Sequence, residues 1–173
     1  MHENDMRKTG EPYITHPTRV ASFLISLGIT DESTLIAAML HDVIEDCDVT
    51  AQGLIKINGV PEEAVKAVEA LSKESGKSTQ TYYRDISNAG IAAMLVKISD
   101  RCHNVSTMVG AFSVGKMGEY LDETVTYVLP MCSFVRRFYP EYSDQVCAME
   151  YMLESLTSTI SGLLTTVGGG KCK

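Results

Sequence analysis

The sequence predicts an all-α fold, a single-domain helical bundle. Three observations carry that prediction. No stretch of any length alternates apolar and polar residues at the period of a strand. Apolar residues instead recur three and four apart in successive segments, and capping and turn residues cut the chain into helical lengths. With 173 residues, 45% of them hydrophobic and 21% charged, there is enough apolar material for one real core.

Taken in order, "GEPYITHP" is bracketed by Pro12 and Pro17, which favours an extended or turn conformation for Ile14 to His16. "TRVASFLISLG" places Val20, Phe23, Leu24 and Leu27 on one helical stripe, closed by Gly28 just past the end. "TDESTLIAAMLHDVIED" opens with the capping candidates Thr30 and Asp31 and predicts one helix to about Asp46. A short helix follows around "TAQGLIKI", then one in "VPEEAVKAVEALSK" with Pro61 at its start and Ala64, Val65, Val68 and Leu71 inward. "SKESGKST" reads as a polar loop before "TYYRDISN". "IAAMLVKISDRCHNVSTMV" reads as a long, mostly buried helix. Two further helices are expected, roughly 116–138 with a bend at Pro130, and 143–164. Residues 1–165 form the predicted domain and 166–173 a disordered tail.

The formal charge of −7 and pI near 5.1 argue against a general binder of nucleic-acid polymers or anionic membranes. They leave room for a small anionic ligand held by a local cluster of Arg and Lys. Five widely spaced cysteines without a C-x-x-C pair suit free thiols in a reducing cytosol. "MHENDMRKTG" is no secretory segment, and apolar runs such as "IAAMLVKI" are too short to span a bilayer. The expectation is a cytoplasmic protein that does not enter the membrane.

Against this background "MLHDVIEDCD" is anomalous, with one histidine and four acids in ten residues of an apolar neighbourhood. On a helix Asp42, Glu45 and Asp46 share a face at i, i+3 and i+4, with His41 flanking it and Ala37 and Ala38 leaving room above. His with Asp suits Mn, Fe or Zn better than Ca; the alternative is a solvated acidic stripe. His16 is either a ligand projecting from a stiff loop or a hydrogen-bonded turn residue. In "VKISDRCHN", Lys97, Asp100, Asn104 and Thr107 make a polar stripe on an apolar helix. Asp100 then needs a partner, either an ion or a salt bridge to Arg101 or a neighbouring helix. His103 is read as off the stripe. Arg7 and Lys8 suit an anionic substrate or are ordinary surface charges.

Together His16, "HD" at His41–Asp42 and Asp100 follow the H…HD…D order of the HD phosphohydrolase superfamily. "RKTGEPYITHP", "AAMLHDVIEDC" and "VKISDRCHN" closely resemble the hydrolase domain of the RelA/SpoT family, with "LSK" and "TYYRDI" in the expected order. The likeness covers roughly residues 7 to 135. It implies an HD-type helical bundle that binds one divalent ion, Mn²⁺ in the family, through His16, His41, Asp42 and Asp100. It further implies that Glu45 and Asp46 position and deprotonate the attacking water. Arg7 would lie against a guanine with Lys8 nearby, Asn104 and Thr107 would contact the ribose or phosphates on the opposite wall, and Lys97 joins this substrate-binding set.

The implied reaction removes the 3′-pyrophosphate from the guanine nucleotide alarmones ppGpp and pppGpp, the chemistry of the stringent response. Other readings remain open: a related enzyme acting on another phosphorylated nucleotide, including a 2′-phosphate of a dinucleotide, or a silent module that binds a nucleotide and regulates a partner. Residues after about 140 show no likeness to a synthetase domain, which implies a stand-alone hydrolase or a free hydrolase module. The family usually has a full helix before "RK", whereas only six residues stand upstream here, which implies either a truncated sequence or another chain, as in a homo-oligomer, supplying that wall.

Overall fold

The computed structural model describes residues 6–7, 10–47 and 49–168. Helix α1 spans Thr15–Ser26, α2 Glu32–Leu40, α3 Val43–Asp46, α4 Ala51–Ile55, α5 Glu62–Leu71 and α6 Thr79–Ala89. They are followed by α7 (Ile91–Thr107), α8 (Val114–Glu123), α9 (Leu129–Phe138) and α10 (Ser143–Gly168). Among the described residues no strand forms; Met6 and Pro12 make one isolated bridge. Short polar side chains start several of these helices by satisfying an orphan backbone N–H. Asp31 accepts from the Thr34 amide at 2.8 Å, Thr50 from Gly53, Ser78 from Thr81 and Ser113 from Lys116. Gly28, at φ 84°, ends α1 in the left-handed region as its place after Leu27 predicts.

Helix α7 is the centre of the bundle, packed by α1, α2, α5, α6 and α10. Being surrounded, it is apolar nearly all round: Ala92 to Val96, Ile98, Cys102 and Val105 are buried. Leu24 of α1, Leu54 of α4, Val68 of α5 and Met149 and Leu153 of α10 are fully buried in the same core. Truncating any such leucine to alanine costs about 2–5 kcal/mol. The Ser99 hydroxyl, itself buried, donates to the Val20 carbonyl at 3.1 Å and ties α7 to α1.

Four local expectations need correction. The helix predicted through Asp46 is interrupted at His41–Asp42, which separate α2 from α3. His41 Nδ1 donates to the Ala38 carbonyl at 2.8 Å, the acceptor that a continuing helix would offer to the Asp42 amide. Ala37 and Ala38 are wholly buried and let α2 approach its neighbours closely, rather than leaving room above the acids. His16 and Pro17 lie within the first turn of α1 rather than in an extended loop. Proline is tolerated there because first-turn amides have no helical partner to lose. Finally, the predicted bend near Pro130 is a π-helical stretch, Thr124–Val128, inserted between α8 and α9, where a wider turn accommodates the ring and its missing donor. α10 continues as helix through Gly168, three residues into the stretch read as a tail.

Candidate active site

The site gathers at the break after α2. At the break His41 and Asp42 stand side by side, His41 Nε2 lying 3.2 Å from Asp42 Oδ1. The first turn of α1 brings His16 Nε2 to 3.2 Å from His41 Nε2 and 3.5 Å from Asp42 Oδ2. From the middle of α7, Asp100 Oδ1 comes within 3.2 Å of His16 Nε2 and 3.8 Å of His41 Nε2. His16, His41 and Asp100 are buried and Asp42 half-buried.

These spacings fit a single divalent ion. Donors about 2.0–2.2 Å from one centre stand roughly 3–3.5 Å apart, and a mixed His and Asp set suits Mn, Fe or Zn. The two histidines present free Nε2 lone pairs if their Nδ1 atoms carry protons. His41 Nδ1 faces the Ala38 carbonyl and His16 Nδ1 faces His103 Nδ1 at 2.8 Å. His16, His41 and Asp42 form the compact group that could hold an ion, Asp100 adjoins both histidines, and Asp100 meets Lys97 rather than Arg101.

Charge is balanced tightly here. Burial alone would lower the His41 pKa, but the hydrogen bond and charge of Asp42 and the charge of Asp100 outweigh it and push it up to about 9. Burial would raise both carboxyls; His41 holds Asp42 below its usual range, while Lys97 and the two histidines hold Asp100 well below. Lys97, half-buried in the same packing, donates through Nζ to Asp100 Oδ2 at 3.1 Å and stands 5.3 Å over the Tyr82 ring. Burial would lower Lys97, but Tyr82 and Asp100 keep it above its ordinary value. Burial, the neighbouring His16 ring and the Arg7 guanidinium push His103 down to about 4.

Glu45 and Asp46 stand exposed at the rim, one turn on from Asp42. Glu45 Oε2 accepts from the Lys73 amide at 3.1 Å, and Asp46 Oδ2 accepts from the Tyr13 hydroxyl at 2.7 Å. The same hydroxyl also contacts Asp42 Oδ2, so Tyr13 joins the rim acid to the buried set. Arg7 is placed by a turn at Gly10, where the Arg7 amide donates to Glu11 O and Gly10 takes φ 84°. Its guanidinium reaches Asn104 Oδ1 at 3.0 Å and His103 Nδ1 at 2.9 Å. Asn104 in turn donates to Asp100 Oδ1 at 2.5 Å. The Thr107 hydroxyl donates back to the His103 carbonyl. Lys8 and Asp48 lie outside the described residues.

Apart from Lys8, all these predicted residues line one cleft of about 590 Å³, whose walls also carry the cations Lys73, Arg101 and Lys116. Arg101 is buried and anchored by Glu123, the Tyr83 hydroxyl at 2.9 Å and the face of Tyr120. Sequence reasoning missed Tyr13, whose contacts no helical spacing encodes, and His103, for which a signal was present. His103 stands three residues after Asp100, the same spacing that singled out Lys97, so it shares the site's face of α7.

A mixed nitrogen and oxygen donor set between α1, the α2–α3 turn and α7 of a helical bundle defines the class: a helical metal-site domain built on the His-Asp pair. The chain belongs to the HD domain family, whose model matches residues 1–117. It is similar to the bifunctional (p)ppGpp synthase/hydrolase SpoT of Escherichia coli K12, 37% identical over 75% of this chain and 19% of that protein. It is also similar to the guanosine-3′,5′-bis(diphosphate) 3′-pyrophosphohydrolase of Aquifex aeolicus, 39% identical over 75% of this chain and 19% of that protein. The chain thus spans about a fifth of the length of the curated relatives it matches. Among solved structures, that of a metazoan SpoT ortholog described as hydrolysing ppGpp shares the fold, with a TM-score of 0.69 at 22% identity, covering 91% of this chain and 88% of that one.

Proposed function

We propose that this chain hydrolyses the 3′-pyrophosphate of guanosine tetra- and pentaphosphate, with one Mn²⁺ held by His16, His41, Asp42 and Asp100. One observation carries the reading: His16, His41 and Asp42 bring ligand atoms together from two separated segments, and Asp100 Oδ1 from a third lies 3.2 Å and 3.8 Å from the two histidines, at the floor of a cleft whose rim bears two carboxylates and whose walls bear cations. The likeness to named 3′-pyrophosphohydrolases supports the choice of substrate. When bound, the ion supplies Lewis acidity, making water acidic enough to ionise near neutrality and offsetting phosphate charge.

The chain's own residues do the rest. Glu45 and Asp46 sit at the rim with one carboxylate oxygen each restrained, by the Lys73 amide and the Tyr13 hydroxyl, which leaves the other oxygen to accept a proton from the attacking water. Water attacks the phosphorus bonded to the ribose 3′ oxygen. The bond from that phosphorus to the 3′ oxygen breaks, the 3′ oxygen is protonated, and pyrophosphate and GDP (from ppGpp) are the products. Arg7, braced by Asn104, offers a planar guanidinium to stack on the base. Lys73 and Lys116 face the polyphosphate from the walls, and Lys97 serves mainly to hold Asp100 charged. The free cysteines Cys47, Cys102, Cys132 and Cys147 suit a cytoplasmic protein, and no described helix is long and apolar enough to cross a membrane.

The test is incubation of the purified chain with Mn²⁺ and ppGpp, scoring nucleotide and pyrophosphate by ion-exchange chromatography, beside a panel of other 3′- and 2′-phosphorylated nucleotides. GDP and pyrophosphate in equal amounts are expected, and Asp42→Ala is expected to abolish both metal binding and turnover. Intact ppGpp alongside cleavage of another nucleotide would overturn the substrate assignment.

A further inference from the structure

We infer that His103 is a positioning residue for the metal site: its Nδ1 accepts the proton-bearing Nδ1 of His16 and so holds His16 in the tautomer whose Nε2 lone pair faces His41, Asp42 and Asp100. The inference rests on the metal-site reading above and deepens it.

A guanidinium has donors only. Arg7 Nη1 lies 2.9 Å from His103 Nδ1, so that ring nitrogen carries no proton and accepts. His16 Nδ1 lies 2.8 Å from the same nitrogen, so the proton between the two rings belongs to His16. A neutral imidazole protonated at Nδ1 keeps its lone pair on Nε2. In His16 that Nε2 is the atom 3.2 Å from both Asp100 Oδ1 and His41 Nε2.

The two histidines of the site therefore obtain the same tautomer from different sources. His41 takes it from the Ala38 carbonyl, a backbone group available on any helix. His16 stands in the first turn of α1, and its Nδ1 turns toward α7, where His103 supplies the acceptor. The ring of His103 lies 4.9 Å from that of His16, centroid to centroid.

A second observation favours a positioning role over simple packing. With Nδ1 accepting, the proton of His103 is on Nε2, and that nitrogen is buried without a hydrogen-bond partner among the described residues. An apolar side chain of similar size would avoid that unsatisfied donor, so the ring's worth lies at its other nitrogen. Arg7, which also binds Asn104, closes the arrangement by locking His103 as an acceptor.

The experiment measures Mn²⁺ binding to the metal-free full chain by electron paramagnetic resonance of the free ion, for wild type, His103→Asn, His103→Gln and His103→Leu. Thermal unfolding of each metal-free variant checks that it folds. The oxygen of Asn can replace Nδ1 as acceptor, whereas Gln places its oxygen nearer the position of Nε2. Wild type is expected to bind one ion, Asn to stay within about threefold of it, and Leu and Gln to bind on the order of 10–100-fold more weakly. If Leu fails to fold, the Asn–Gln comparison decides alone. Equal affinity for Asn and Gln, or a folded Leu variant that binds like wild type, overturns the inference while leaving the metal site standing. A wild-type chain that binds no ion overturns the metal-site reading and this inference with it.

Discussion

Metal binding to this site should be steeply dependent on pH, because the metal-free protein keeps a proton where the ion would bind. His41 Nδ1 donates to Ala38 O, and Nε2 stands 3.2 Å from Asp42 Oδ1 and 3.8 Å from Asp100 Oδ1. Burial disfavours the imidazolium, yet the two carboxylates prevail and push its pKa up to about 9. An ion must take the Nε2 lone pair, so that proton must leave first. Asp42 and Asp100 are held below their ordinary range and Lys97 above its own, so none of the three titrates between pH 6.5 and 9. Each pH unit below 9 thus weakens apparent affinity about tenfold, roughly 100-fold at pH 7 or about 3 kcal/mol. Chelator competition with Mn²⁺ at pH 6.5, 7.5 and 8.5 measures that slope. Calorimetry at pH 7.5 in buffers of different ionisation enthalpy should show about one proton released per ion. Affinity constant over this range, with no proton release, would show that His41 is neutral in the metal-free site and that the balance of burial against carboxylate charge is wrong.

The same group sets the stability of the metal-free protein. A folded pKa raised from 6.5 to about 9 contributes stability fully present below 6.5 and lost as pH rises through 9. The urea midpoint should fall by an amount worth on the order of 1–3 kcal/mol across that window, and saturating Mn²⁺ should reverse the trend. A flat midpoint contradicts it. Glu45→Gln should lower turnover by on the order of 10²–10⁴ while metal remains bound by elemental analysis; an unchanged rate moves the proton-accepting role to Asp46. Arg101→Met should destabilise by roughly 2–4 kcal/mol in urea unfolding, since it strips the buried partner from Glu123 and the Tyr83 hydroxyl. Glu123→Gln in the Arg101→Met background should cost little more, and additive losses would show that the pair is not coupled.

Much of this molecule could be read from residues that act locally. Asp31 caps α2 as its place before an apolar run predicts, and Gly28 ends α1 in the left-handed region. The stripe Ala64, Val65, Val68 and Leu71 turns inward because a 3.6-residue period puts it on one face. What stayed hidden depended on partners distant in sequence. Helical spacing places Asp100 on one stripe with Lys97, and only the family resemblance groups it with His16 and His41; the fold shows it between Lys97 and the histidines of α1 and the α2–α3 turn. His103 looked idle because its partners, Arg7 and His16, are 96 and 87 residues away. Tyr13 joins Asp42 to Asp46 across a gap of 29 and 33 residues, which no helical spacing encodes.

The misreading of one helix through Asp46 has its cause at the His-Asp pair. Periodicity favoured continuity, since Asp42, Glu45 and Asp46 suit one helical face and nothing between Glu32 and Asp46 is a helix breaker in itself. In the structure the backbone stays in the right-handed helical region at His41 (φ −58°, ψ −28°) and Asp42 (φ −100°, ψ −7°), while the imidazole bonds the Ala38 carbonyl where the helical ladder stops. The ladder restarts with the Asp46 amide on Asp42 O at 2.9 Å, which leaves Glu45 and Asp46 one turn further on at the rim.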